Sequence, residues 1–354
     1  MHPYLRLQVL IRPLDDDRRH RPAELAAPLV RRVLGKSLVD LFCPFGQPHC
    51  EAPRRRGGEQ VPPAELCHLA ESCPYGVLFA ASRGARPPYA VYVPSDRDDD
   101  DRIEITLFGP AWRFYPWLLQ ALRKALRTGL GKERRTYDVH AVYRVNPDSS
   151  WAEICSSDLS QLLPTLPPDF LEVSMLPEPS PPAPLPEGEG SAEPSPPAPL
   201  PGGEGSVEEP FPSRQETVEV QLLSPTRLIH DGKLLPGHRP VPFALLVARI
   251  LDRFRGLFGD DAGEILRPEI RRAVEAEAAH VPLVSDETRW IEVQDYSARN
   301  RSELLLGGKV GRLIYGVEAA RFLPILKAGE ILHVGKNPTS GCGRIAVDLR
   351  GTGQ

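Results

Sequence analysis

The sequence predicts an α+β protein made of two tandem ferredoxin-like (βαββαβ, RRM-like) domains joined by a disordered Pro/Gly/Glu linker. Three observations carry that reading. An order of alternating apolar strands and amphipathic helices occurs twice. A glycine-x-glycine-basic element follows the second helix of each half, as Gly129-Leu130-Gly131-Lys132 and as Gly341-Cys342-Gly343-Arg344. Between the halves, "PSPPAPLPEGEGSAE" from Pro179 is followed at once by "PSPPAPLPGGEGSVE" from Pro194. Proline and glycine at that density favour extended, solvated chain with little to bury. The expected division is an N-terminal domain over 1–175 with a Cys-rich insertion at 43–73, an acidic linker over 176–213, and a C-terminal domain over 214–354.

In the first half, Leu5, Leu7, Val9 and Ile11 alternate as a half-buried strand does. Leu25, Leu29, Val33, Leu34, Leu38, Leu41 and Phe42 recur at helical spacing. Short strands are expected near Val77–Phe79 and Tyr89–Val93, then at Ile103–Phe108. Leu118, Ala121, Leu122, Ala125 and Leu126 form the stripe of a second helix, and Tyr137, Val139, Ala141 and Tyr143 a closing strand.

The second half repeats the order. Val218, Val220 and Leu222 form a strand, and Leu246, Val247, Ile250, Leu251, Phe254 and Phe258 a helix, with a further helical run from Glu264 to Ala279. Trp290–Gln294 and Lys309–Tyr315 read as strands, and Ala319, Phe322, Leu323 and Leu326 as a short helix. A strand ending at Val334, with His333 on it, then leads through the glycine-rich loop to a last strand at Ile345–Leu349. Glycines let a ligand approach the bare chain, and Lys336 and Arg344 add positive charge at the same place. Such a loop on a sheet is suited to gripping the phosphate backbone of a nucleic acid.

The chain has 354 residues, 41% of them hydrophobic, enough for two ordinary cores. No apolar run is long enough for a bilayer and Met1-His2-Pro3-Tyr4 does not read as a secretory leader, so a cytoplasmic location is expected. The net charge of −4 conceals an uneven distribution: the linker holds seven glutamates and no lysine or arginine, leaving +3 for the remainder. Seven basic residues against Glu133 alone lie between Arg113 and Arg135, and ten against six acidic from Arg289 onward. These clusters suit an anionic partner, or they are solvated helix faces.

Cys43, Cys50, Cys67 and Cys73 form a separate constellation. Four thiolates make a closed tetrahedral zinc site that lends folding energy to a loop with little core. The spacings are wider than a paired Cys-x-x-Cys, and four thiols without metal fit them too. A structural zinc is the cofactor reading, with none for catalysis. Cys155 and Cys342 stand apart as free thiols.

Several stretches together resemble a known family: "LVRRVLGKSLVDLFC" (29–43), "CPYGVLF" (73–79), "LFGPA" (107–111), "SPTRL" (224–228), "DYSARN" (295–300), "LLLGGKVGRLIYG" (304–316) and "GEILHVGKNPTSGCGR" (329–344). They are similar to the RAMP superfamily of CRISPR-associated proteins, and more narrowly to the endoribonuclease that cuts precursor CRISPR RNA within its repeats. Asn300 departs from the glutamine that usually ends the tyrosine-serine-x-arginine stretch. The resemblance implies CRISPR repeat RNA as partner, with other CRISPR-associated effector subunits, and no membrane. It implies metal-independent cleavage by the neighbouring 2′-hydroxyl, leaving a cyclic phosphate and a mature guide RNA. The alternative is a non-catalytic RNA-binding subunit of an effector complex, since the same fold serves both.

Histidine suits the proton transfers, its pKa lying near neutrality. The candidates are His230, just before the first helix of the second half, His20 at the matching place in the first, and His333 at the glycine-rich loop. His230 and His20 are favoured over His333, whose place suits holding the loop equally well. The expected RNA-binding residues are Arg299, Gly307, Gly308, Lys309, Gly335, Lys336, Gly341, Gly343 and Arg344.

Overall fold

The computed structural model describes residues 1–14, 27–45, 54–56, 59–61, 67–79, 86–94, 101–131, 134–156, 158–159, 166–173, 216–259, 263–297 and 302–351. The linker, His20, Cys50 and Arg299 lie outside the described residues.

The N-terminal sheet is built on β1 (His2–Pro13), whose Leu5, Leu7, Val9 and Ile11 are all buried beneath two helices. The helices are α1 (Ala27–Phe42) and, after the short α2 (Pro74–Phe79), α3 (Tyr115–Thr128). The strands β2 (Tyr89–Tyr92), β3 (Arg102–Phe108), β4 (Tyr137–Val145) and β5 (Trp151–Cys155) complete the path, in the order β2-β3-β1-β4-β5, while β6 (Asp169–Leu171) pairs with the start of β1. Every pairing is antiparallel, with Gln8 facing both Glu104 and Tyr143. The stripe of α3 is buried through Leu118, Leu119, Leu122 and Leu126, each contributing about 1.5–3 kcal/mol by leaving water.

The C-terminal sheet repeats this plan. β7 (Glu216–Thr226) is central, and after the two-residue arms β8 (Ile229–His230) and β9 (Lys233–Leu234) the chain enters α4 (Phe243–Phe258) and α5 (Pro268–Ala278). There follow β10 (Leu283–Ile291), a separate hairpin of β11 (Gln294–Ser297) and β12 (Ser302–Leu305), β13 (Gly308–Tyr315), α6 (Leu323–Leu332) and β14 (Ile345–Gly351). The sheet order is β10-β13-β7-β14. In both sheets the first strand of the unit lies between its third and fourth, and the second lies beyond the third. That order defines the ferredoxin-like arrangement, so the doubled α+β fold stands as the sequence indicated.

Three local expectations change. Residues 77–79 belong to helix α2, with Leu78 buried, and not to a strand. The strand expected at Trp290 begins at Leu283 and ends at Ile291, its side chains mostly half-exposed, so its apolar signal was weak. The chain before the glycine-rich loop is the end of α6, and His333 caps it with a left-handed φ of 61°.

The two bodies share one seam. Tyr4, Ala90, Phe108 and Leu171 of the N-terminal body pack into the core of the C-terminal body. Phe108 meets Phe258 edge-on at 6.5 Å, and the His2 ring lies 4.9 Å from Phe254 and 4.4 Å from Phe258. Arg253, 1% exposed, bridges the seam by donating from Nε to the Leu332 carbonyl at the end of α6 (3.3 Å) and from Nη2 to the Tyr89 carbonyl of β2 (3.3 Å). Burial, reinforced by Arg86, brings its pKa down to about 9.

Candidate RNA-processing site

The glycine-rich loop, 335–344, lies on this seam. Its backbone is fixed to β7: the Lys336 amide donates to the Arg227 carbonyl (3.1 Å), and the Gly343 amide to that of Pro225 (3.1 Å). The loop closes on itself through Val334 N–H to Gly343 O (2.7 Å) and Cys342 N–H to Asn337 O (3.2 Å). Gly335 has φ 85°, and a Cβ there would lie 2.3 Å from the Arg227 carbonyl oxygen. Gly341 has φ 88°, and its Cβ would lie 2.4 Å from that of Ala27, the first described residue of α1. Both positions exclude a side chain because of the protein's own crowding. Gly307, Gly308 and Gly343 are buried as well, and the glycines serve close packing of the loop between the two bodies.

The expected phosphate contacts divide sharply. Lys336 is exposed on the loop. Lys309 is 3% exposed and bonds Thr288 Oγ1 (2.9 Å), with Asp286 Oδ2 at 3.5 Å, so its charge is answered inside the protein. Arg344 donates from Nη1 to the carbonyls of Glu330 (2.9 Å) and Ile345 (2.7 Å), and its Nε is 3.4 Å from Glu104 Oε2. Its guanidinium also sits 5.9 Å above the Tyr92 ring. Lys309 and Arg344 are therefore structural cations, contrary to the sequence-based expectation. A buried charge must find its partner within the fold.

Three of the seven cations between Arg113 and Arg135 have carboxylate partners. Arg123 Nε bonds Asp138 Oδ1 (3.0 Å), Arg127 Nη2 bonds Asp138 Oδ2 (2.6 Å), and Lys124 lies 3.9 Å from Asp40. Burial works to raise the Asp138 pKa, but the bonds from Arg127 and Arg123 outweigh it and hold the carboxyl down at about 2.

Two cations that the sequence reading did not single out adjoin the loop. Arg31, one turn beyond Ala27 on α1, donates from Nε to the Tyr89 hydroxyl (3.3 Å), which lies beside the side chain of Thr339 in the loop. Arg227 donates from Nη1 to the Gly307 carbonyl, while its Nε is buried with no hydrogen-bond partner among the described residues. Both lie within "LVRRV" and "SPTRL", but only the tertiary arrangement shows what they face.

The histidines also separate. His333 is 3% exposed, with Nδ1 3.3 Å from the Cys342 carbonyl oxygen. Burial first, and then Arg344, Arg253 and Arg6, push its pKa well below the usual histidine value, which makes it a neutral ring that holds the loop. His230 is exposed at the end of β8, three residues beyond Arg227, with Nε2 3.6 Å from Asp231 Oδ2. His20 precedes the first described residue of α1, the helix that meets Gly341.

Cys67 and Cys73 are half-buried free thiols, and Cys43 is half-buried as well. Among the described residues no group of three or more His, Cys, Asp or Glu side chains is arranged to hold a metal ion, so the zinc reading finds no support there. Burial raises the thiol of Cys342 to about 12, fitting a packing role. Among the described residues no helix is long and apolar enough to cross a membrane.

Two ferredoxin-like bodies joined by a shared core, with a glycine-rich loop wedged between them, define the class as a double ferredoxin-like α+β protein. Residues 220–345 match the family model described as "CRISPR-associated endoribonuclease Cas6", and residues 3–166 match one described as an "N-terminal domain". Residues 220–345 are thus similar to that endoribonuclease family, in keeping with the resemblance seen in the sequence. A Cas6 (TTHB231) product complex is similar at 14% identity with a TM-score of 0.50, over 98% of this chain and 99% of that one. Thermus thermophilus Cas6 (TTHB231) has 13% identity and a TM-score of 0.48, over 98% and 99%. At that identity the first likeness shows the fold. No curated protein matches the chain.

Proposed function

We propose that the chain is a precursor CRISPR RNA endoribonuclease that cuts within the repeats, without a divalent metal, by attack of the 2′-hydroxyl on the adjacent phosphate. The observation that supports this most is the match of residues 220–345 to the endoribonuclease family, because that span contains the glycine-rich loop and the cations on its C-terminal side.

In the reaction the 2′-oxygen forms a bond to phosphorus, the bond from phosphorus to the 5′-oxygen breaks, and the products are a 2′,3′-cyclic phosphate and a 5′-hydroxyl. One proton leaves the attacking hydroxyl and one reaches the departing oxygen. A positioned side chain speeds each transfer by about 10²–10⁴-fold. His230 and His20 are the proposed proton-transfer groups. His333 is set aside for that role because it is buried and bonded to the loop. Lys336, exposed on the loop, supplies positive charge toward the phosphate backbone, and the fixed loop needs no reorganisation as charge develops.

The test is incubation of the intact chain with the repeat RNA of its own locus in EDTA, with analysis of the product ends. Cyclic phosphate and 5′-hydroxyl ends support the proposal. RNA bound but left whole would instead indicate a binding subunit.

A further inference from the structure

We propose that Arg31 and Arg227 bind RNA phosphates, so that the anion site is composite, with one wall from each body. The inference rests on the RNA-processing reading above and adds two residues to it.

The first argument is charge. Around the loop, Lys309 and Arg344 are answered by Asp286 and Glu104, and farther off Arg123 and Arg127 share Asp138. No carboxylate pairs with Arg31 or Arg227 among the described residues. The Arg31 partner is the Tyr89 hydroxyl, and burial raises the pKa of that phenol to about 12, so it stays neutral and offers no counter-charge. Arg227 has a neutral carbonyl as its partner and a buried Nε with none. Half-buried guanidinium groups left without a negative partner are costly to the free protein. A phosphate offers the planar group two parallel bonds and removes that cost.

The second argument is placement. Gly335 and Lys336 rest on the Arg227 backbone, whereas Thr339 and Gly341 rest on Tyr89 and Ala27, one helical turn from Arg31. The seven residues from Gly335 to Gly341 thus run from one arginine to the other, and exposed Lys336 is one of them. Tyr89 holds the arrangement together, its carbonyl taking Arg253 and its hydroxyl taking Arg31. Body-to-body packing therefore fixes where the two guanidinium groups stand relative to the loop.

The experiment is a salt titration of binding between the intact chain and a labelled 2′-O-methyl repeat RNA, which lacks the attacking hydroxyl. Arg31→Gln and Arg227→Gln are each expected to flatten the log K against log salt slope by about 0.7–0.9, the signature of one lost phosphate contact. Arg31→Lys restores the slope while losing some affinity, a rescue that a purely structural role for the guanidinium would not give. Arg123→Gln, distant from the loop and already neutralised by Asp138, leaves the slope as in the parent. A slope unchanged in both Arg31→Gln and Arg227→Gln overturns this inference and leaves the RNA-processing reading standing. A parent chain that shows no salt-dependent RNA binding overturns both.

Discussion

Glu104 of the N-terminal body and Arg344 of the C-terminal body stand 3.4 Å apart, both more than four-fifths buried, with Arg6 3.8 Å from the same carboxylate oxygen. One carboxylate is therefore shared by two arginines, and burial together with Arg344 lowers the Arg6 pKa. The strand that follows the glycine-rich loop is clamped to the opposite sheet by this group.

Glu104→Gln leaves two buried cations with no negative partner and is expected to cost about 2–3 kcal/mol of stability. The denaturant midpoint measures it. Arg344→Met is expected to destabilise to a similar degree while leaving the salt slope of RNA binding unchanged, since Arg344 does not face solvent. A full loss of one phosphate contact in that variant would return Arg344 to the binding surface.

Gly341→Ala combines left-handed backbone strain of about 1–2 kcal/mol with a methyl group driven against Ala27. Pairing it with Ala27→Gly removes the collision but not the strain. A double-mutant cycle is expected to show favourable coupling of at least about 0.5 kcal/mol. Purely additive effects would mean that the loop does not press on α1.

His333 sets a pH dependence of stability. Its folded pKa lies well below the unfolded value of about 6.5, so the unfolded chain binds the extra proton first. Its contribution is complete above that pH and is lost as pH falls below it, by up to about 1.4 kcal/mol per pH unit. Urea melts from pH 7.5 to 5 check the sign, and His333→Gln is expected to flatten the profile. A profile that is unchanged in the variant would place the acid sensitivity elsewhere.

The sequence showed most of what depends on periodicity. The alternation of Leu5 to Ile11, the stripe of α3 and the matching glycine elements foretold both ferredoxin-like units, because those signals are local. What it hid depends on partners far along the chain. Lys309 and Arg344 read as free cations in a basic segment, and only folding brings Asp286 and Glu104 to them. His333 read as a strand residue because an apolar run precedes it, whereas the chain turns there through a left-handed cap. Arg31 was legible as a helix residue and Arg227 as part of a motif, but their lack of a negative partner is a property of the assembled seam.

The central claim is that the chain cuts repeat RNA by acid–base chemistry at this seam. Single-turnover cleavage of end-labelled repeat RNA in EDTA tests it most directly, run with the parent and with His20→Ala and His230→Ala. The account predicts that the parent cuts, and that at least one variant slows by about 10²–10⁴-fold with little change in RNA affinity. A parent that leaves the repeat whole, or both variants cutting as fast as the parent, would contradict it.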